Sequence, residues 1–503
     1  MEGGAPSSLS RKLDTVAETA QADAVRLIEA QLQRGPRHLT LTEASAVTGL
    51  SLDATRHAME GLLTRYVCRL QASENGDLIY DFGASLRRRG AKTAAERRQA
   101  LLDSLWRLFT VVYKACIAVV LVVYFVVFIV FLIAIVVAIS SQQSNDDRGR
   151  GSGRAGLHPA LIADLFFSIF RWRTITGSID YQRDAYGYRY RHYEPRPAVL
   201  NAKKKNFIAA VYDFVFGPPR VEPDPLGNEK EVAAYLRQNK GLVTAAELSA
   251  LAGWTFAQAE TFLADCVVRY RGETKISEEA VLYGQFDEII RGVGEVETEP
   301  VVYYWDEYEP DYELTGNSAG HNTIIIVMNL VNLLVAFGML TGAFAGLFEP
   351  GLANAFLSFM TSDQFLPRLA LGWAPFLFSV VFFLVPGLRW FNLGARRRRQ
   401  HRQNIRKRFF RVIFARQGRA QTVSEAHAAV NRGASEETLS AAEVETWLKE
   451  LVLDLPGEMT VSDQADLEFA FPRLTTEFDV IERLRQGRDV DDTLGDILIE
   501  SDN

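Results

Sequence analysis

Long uncharged runs, more than amphipathic periodicity, dominate the pattern of apolar and polar positions along this chain. The first, Ala115 to Ser140, is built from Val, Ile, Leu, Phe and Ala, with no charge between Lys114 and Asp146. At 1.5 Å per residue that run crosses a hydrocarbon layer of roughly 30 Å once, but not twice. Its β-branched residues would suit a strand in water. An isolated strand in lipid leaves its backbone unpaired, so the run predicts a helix. A second run, Thr323 to Phe348, is uncharged between His321 and Glu349, and a third, Leu369 to Leu388, lies between Arg368 and Arg389. Pro375 and Pro386 in the third predict a kink and an early end. Trp106, Trp373 and Trp390 fall near the ends of the runs, at headgroup depth. With a mean hydropathy of -0.01, the chain reads as a multi-pass integral membrane protein. The opening MEGGAPSSLSRKLD has no apolar run after its first charges and predicts no cleaved signal peptide.

Between the spans a unit repeats. At an offset of 204 residues, Glu43–Phe82 aligns without a gap on Glu247–Phe286, pairing Gly49 with Gly253, Tyr66 with Tyr270 and Phe82 with Phe286. A third copy follows 185 residues later, where Leu451, Ser462, Leu467 and Phe471 fall on Cys266, Ser277, Leu282 and Phe286, and Thr438 takes the place of the turn glycine. Three copies exclude chance. Each reads as helix, turn, helix opening after Ser or Thr near a carboxylate, third helix, and two strands joined by a tight turn. Asn75-Gly76 marks the hairpin of the first copy. Phe82, Phe286 and Phe471 are core positions.

The stretches LTEASAVTGLSLDATRHAMEGLLTRY, AAELSALAGWTFAQAETFLADCVVRY and SAAEVETWLKELVLDL, each followed by its hairpin, resemble the winged-helix fold. The resemblance covers about two-fifths of the chain. It implies a mainly α fold with small β-hairpins (α+β), in which three winged-helix-like domains alternate with three transmembrane segments of a bacterial-type membrane protein. Winged helices serve both DNA reading and protein association. The charges of the third helix bear on that choice. Copy one presents Arg56, His57 and Arg65 against Asp53 and Glu60, copy two presents Glu260 and Asp265, and copy three presents Glu443, Glu445 and Glu450 against Lys449. Carboxylates repel the duplex, so protein association ranks above DNA binding.

The resulting organisation is a flexible terminus (1–22), domain 1 (23–91), a basic linker (92–114), span one (115–140) and a basic, aromatic juxtamembrane region (141–222). Domain 2 (223–292), an acidic, aromatic segment (293–321), span two (322–348), a short loop (349–368) and span three (369–390) follow. The chain closes with a basic stretch and domain 3 (391–476), then an acidic tail (477–503). Arg396, Arg397, Arg398 and Arg399 place the C-terminal domain in the cytoplasm and the spans in the cytoplasmic (inner) membrane. The basic flank of span one, Arg87 to Arg98, also calls for the cytoplasm, which conflicts with a single crossing before domain 2. Either domain 1 is exported, or 115–140 turns back, or Leu161–Phe170 completes a second pass. Phe207–Phe216 has helical apolar spacing and reads as an interfacial helix or as one packed on domain 2. The acidic segment, Glu295 to Glu313, is expected to pair with the basic region Gly151–Lys205, which also suits anionic lipid.

In span two, Gly338, Gly342 and Gly346 form a double GxxxG ridge opposite Asn329 and Asn332, predicting close packing on one face and hydrogen bonding on the other. The three apolar runs, Ala115–Ser140, Thr323–Phe348 and Leu369–Leu388, carry no Asp, Glu, Lys or Arg, which lowers the channel and transporter reading. The 55 basic and 62 acidic residues give no whole-chain case for nucleic acid. Cys68, Cys116 and Cys266 are isolated, the seven histidines form no metal motif, and Walker, GxSxG and GxGxxG loops are missing. The sequence therefore predicts no catalytic, metal or cofactor residues and no small-molecule substrate. It predicts a non-enzymatic membrane scaffold that contacts lipid and associates with proteins or itself. The alternatives are a membrane-tethered transcriptional regulator with domain 1 on DNA, and a channel or transport accessory subunit.

Overall fold

The computed structural model describes residues 8–90, 94–143, 206–218, 224–294, 301–306, 312–344, 368–432, 438–461, 466–490 and 494–501. Unit one comprises α1 (Ser8–Arg34), β1 (His38–Thr40), α2 (Leu41–Thr48), α3 (Leu52–Arg65), β2 (Arg69–Ser73) and β3 (Leu78–Asp81). A 50-residue helix, α4 (Ala94–Gln143), follows, and α5 (Phe207–Phe216) precedes unit two. That unit holds α6 (Gly227–Gln238), β4 (Leu242–Thr244), α7 (Ala245–Ala252), α8 (Phe256–Arg269), β5 (Glu273–Ile276) and β6 (Leu282–Gln285). Next come α9 (Ala319–Thr341) and α10 (Ala374–Ala415), the latter entered through a π-turn at Leu369–Trp373. Unit three uses the end of α10, then β7 (Gln421–Thr422), α11 (Val423–Val430), α12 (Ala441–Asp454), β8 (Glu458–Val461) and β9 (Leu467–Ala470). Two elements close the chain, α13 (Pro472–Gln486) and β10 (Ile497–Glu500).

Local chemistry repeats with the sequence. Thr40 and Thr244 end a strand and cap the next helix, each accepting from the N–H of a glutamate three residues on while that glutamate accepts from the cap N–H. Gly49 (φ 73°) and Gly253 (φ 70°) end those helices in the left-handed region. The sheets share one order, β1-β3-β2, β4-β6-β5 and β7-β9-β8. They also share a register, Arg69↔Asp81, Glu273↔Gln285 and Glu458↔Ala470. The offset of 185 residues fails earlier in unit three. Thr422 caps α11 as Thr244 caps α7, an offset of 178, so the glycine's place falls to the cap Asn431 and not to Thr438. An insertion before Ser440 restores the longer offset.

Among the described residues three helices are long and apolar enough to cross a membrane, Leu101–Val137, Ala319–Thr341 and Leu369–Ala415. The third neither ends nor breaks at its prolines. Pro375 follows directly on the π-turn at Leu369–Trp373, with the backbone helical through Trp373 and Ala374, and Pro386 sits inside a helix that continues to Ala415. α10 thus carries the chain from the bundle into unit three, where Phe409, Phe410, Ile413 and Phe414 join a core shared with unit two. α5 packs on the helix bundle and not on unit two. Phe207, Ala210, Val211, Phe214 and Val215 bury among α4, α9 and α10, with Phe214 stacked on Phe382 at 5.5 Å.

The crossing conflict narrows. The side chain of Asn332 on α9 meets Leu121 on α4, and Phe131 meets Phe344 beyond, so α4 runs parallel to α9. Tyr113 at the opposite end of α4 lies against Phe216 of α5. The C-terminal end of α4 and the helix α5 therefore lie at opposite ends of the bundle, and the candidate pass Leu161–Phe170 lies outside the described residues. The described α4 is one unbroken helix, and units one and two meet directly at Glu43 and Arg237.

Candidate functional site: the seams between the units

Each of the first two units offers a buried carboxylate to a helix that follows it in the chain. Glu43, the capping glutamate of α2, is fully buried and accepts from Arg237 of α6 at 3.4 Å and from the N–H of Gly294 at 2.8 Å. Beside it, the hydroxyl of Thr42 donates to the carbonyl of Arg291 at 2.7 Å. Its counterpart Glu247 accepts from Arg485 of α13 at 2.6 and 2.9 Å and from the Tyr235 hydroxyl at 2.6 Å. The N–H of Ala246 then donates to Glu477 at 2.8 Å. A carboxylate buried this deeply stays ionised only with such partners. In unit three the counterpart Glu425 is exposed and pairs with the nearby Arg416 at 2.7 Å, so the series of sockets ends there.

Burial sets the protonation behaviour of the second seam. Burial acts to lower the Arg485 pKa, but the adjacent Glu247 outweighs it and the net direction is up. Burial, then Glu247, pushes the Tyr235 hydroxyl well above its ordinary value. Burial likewise pushes Glu477 up, only partly offset by the Ala246 N–H and Arg473.

The third helices are also engaged. Glu260 of α8 pairs with Arg473, and Asp265 with Arg269 at 3.1 Å, while Arg269 also reaches Gly49 of unit one at 3.2 Å. Glu450 of α12 pairs with Arg402 at 2.8 Å and Asp454 with Arg406, both arginines on α10. On α3, Asp53 takes Arg271 at 2.6 Å, whereas Arg56, His57 and Arg65 stay exposed.

Phe82, Phe286 and Phe471 occupy one position in the three cores, their N–H groups donating to Arg37, Gly241 and Gly418 at 3.0, 2.8 and 2.8 Å. A Cβ on Gly272 or Gly457 would come within 2.4 or 2.8 Å of the Phe286 or Phe471 ring, so glycine there admits the phenylalanine. Arg396, Arg397, Arg398 and Arg399 are exposed on α10 between bundle and unit three, and Arg397 donates to the carbonyl of Tyr312 at 2.8 Å. The acidic, aromatic segment packs here. Tyr304 lies over Gly253 and against Phe410 at 5.3 Å, and Trp305 stacks on Phe414 at 5.4 Å. The pairing expected with Gly151–Lys205 falls outside the described residues.

Asn329 and Asn332 are fully buried and donate to the carbonyls of Ser379 on α10 and Leu121 on α4, both at 3.1 Å. One asparagine face thus holds both neighbouring helices. Gly338 and Gly342 do not continue one helical ridge. α9 ends at Thr341 with Gly342 in the left-handed region at φ 69°, and Gly346 lies outside the described residues. Gly338 instead receives the ring of Phe344, folded back past the helix end.

The capping pattern Thr-x-x-Glu is legible at Thr40 and Thr244, but its second use is not, because Arg237 and Arg485 lie roughly two hundred residues or more away in sequence. Among the described residues no group of three His, Cys, Asp or Glu is placed to hold a metal ion. Cys68 and Cys266 are buried and form no disulfide, and burial pushes the Cys68 thiol up to about 12.

No protein-family model and no solved structure matches the chain. In sequence the chain is similar to an uncharacterized chloroplastic protein of Arabidopsis thaliana, 22% identical over 406 residues that cover 75% of this chain and 70% of that protein.

Proposed function

We propose that this chain is a non-enzymatic membrane scaffold whose three units are winged-helix domains used for protein association. The observation that carries the reading is the engagement of the third helices in units two and three, where Glu260 pairs with Arg473 and Glu450 with Arg402. A DNA reader of this fold lays that helix in the major groove, but these pairs hold the two arginines on carboxylates, and the exposed faces of α8 and α12 carry Asp265 and Val268, and Glu443 and Leu453, which do not attract a phosphate backbone. What remains exposed is suited to proteins, and α10 holds the units at a set distance from the bundle. By the positive-inside tendency, the exposed Arg396–Arg399 run supports the reading that the units face the cytoplasmic side of an inner membrane.

Affinity purification of the full chain from membranes in mild detergent tests the reading. A reproducible protein partner, or a second copy, crosslinked to the units is the expected result. Recovery of the lone chain, or turnover of a substrate by it, overturns the proposal. A second reading is motivated by the exposed Arg56, His57 and Arg65 on α3, through which unit one would bind DNA. It requires salt-dependent, sequence-selective duplex binding that Arg56→Glu abolishes.

A further inference from the structure

We propose that the open edge of unit three, strand β8, docks an extended partner segment with alternating apolar side chains and a basic residue against Glu458. This rests on the protein-association reading and specifies the partner's chemistry.

The chain already uses this edge once. β10 adds antiparallel to β2, extending the first sheet to the order β1-β3-β2-β10. Leu70 supplies the outward backbone groups, its carbonyl accepting from the N–H of Ser501 at 2.8 Å and its N–H donating to the Ser501 hydroxyl at 2.9 Å. Charge matches across the added pair, since Glu500 of β10 lies 3.8 Å from Arg69 and accepts from Gln71 at 3.3 Å.

Among the described residues, the corresponding strands of the other units, β5 and β8, end their sheets without a further partner strand. By the shared register, the positions of Arg69 are Glu273 and Glu458, so the sign of the edge is reversed. Apolar exposure also follows the missing strand. Val268 and Ile276 in unit two are 78% and 70% exposed, and their counterparts Leu453 and Val461 in unit three are 84% and 68% exposed. Unit one, whose edge is covered, has Thr64 and Ala72 at those places.

β8 is the better acceptor of the two. Glu273 has Lys275 within 3.5 Å, whereas Glu458 has no cation partner among the described residues, and Met459 adds a half-exposed apolar side chain. A lone carboxylate on a short edge discourages pairing with like strands. The acidic β10 of a second copy is disfavoured for the same reason, and a basic strand is favoured.

The test uses the full chain in lipid nanodiscs with two synthetic probes, Lys-Val-Thr-Val-Thr-Val-Lys and its counterpart with glutamate at both ends. Hydrogen exchange at 458–461 and fluorescence anisotropy are the readouts. The lysine peptide is expected to slow exchange there and to bind about fivefold tighter than the glutamate peptide. Glu458→Lys should invert the preference. Met459→Pro removes the N–H equivalent to that of Leu70, which faces away from the hairpin, and should abolish protection. Protection confined to other strands, equal binding of the two peptides, or protection that survives Met459→Pro overturns the proposal. If the wild-type chain still recovers a partner, only this edge assignment falls; if it recovers none, the scaffold reading falls as well.

Discussion

Removing Arg485 isolates the energetics of the second seam. Its guanidinium reaches both carboxylate oxygens of Glu247 and also donates to the carbonyls of Leu242 at 2.6 Å and Asn239 at 3.2 Å. The Glu247 side chain is only 3% exposed, so Arg485→Ala leaves a buried carboxylate holding its capping bonds and the Tyr235 hydroxyl without a counter-charge. Stranding one member of a buried pair costs about 3–5 kcal/mol. At the middle of that range, α13 should open from α7 roughly a thousandfold more often, since each 1.36 kcal/mol is about tenfold. Hydrogen exchange of the full chain in detergent, followed at 245–252 and 472–486, reads this directly. Replacing both partners, Glu247→Gln with Arg485→Met, should recover most of the loss because no charge is stranded. Unchanged exchange at both segments in Arg485→Ala, or a double variant as loose as the single one, would refute the assignment of the seam to this pair.

Four other outcomes are expected. Because burial raises the pKa of Glu477 in the folded chain, its contribution to docking is fully present below the ordinary carboxylate range and is lost as pH rises through the raised value. Glu477→Gln should therefore flatten the pH dependence of exchange in α13. Gly253→Ala should cost about 2–3 kcal/mol in thermal unfolding, combining left-handed strain with a Cβ 2.6 Å from the Tyr304 ring. Gly76→Ala, with nothing within 4 Å, should cost only the strain, about 1 kcal/mol. Asn329→Leu and Asn332→Leu should each loosen the bundle by about 0.6 kcal/mol in a membrane unfolding assay, the usual worth of an interhelical hydrogen bond in lipid. In a Cys116→Ser background, Thr64→Cys and Leu453→Cys should react with an impermeant thiol reagent from one side of the membrane and Thr341→Cys from the other; labelling of the first two from opposite sides would contradict the seams.

Much of the fold could be read locally because its causes are local. Uncharged runs longer than a core helix needs identify the three spans, and a repeated spacing of core and turn residues identifies three units whose strands pair in one register. The capping threonines and glutamates set helix starts through contacts three residues apart. Tertiary structure decided the rest, since its causes are distant in the chain. Pro386 stayed within a helix despite proline's usual effect, and Gly342 ended one where spacing alone suggested a packing ridge. The apolar face of α5 packs on the helix bundle and not on unit two. Residues 477–503, an acidic tail by composition, supply the arginine that meets Glu247 and the strand that covers β2. A buried carboxylate can be satisfied by any cation that reaches it, so sequence spacing carries no information about which arginine that is; folding, by bringing the units face to face, makes the selection.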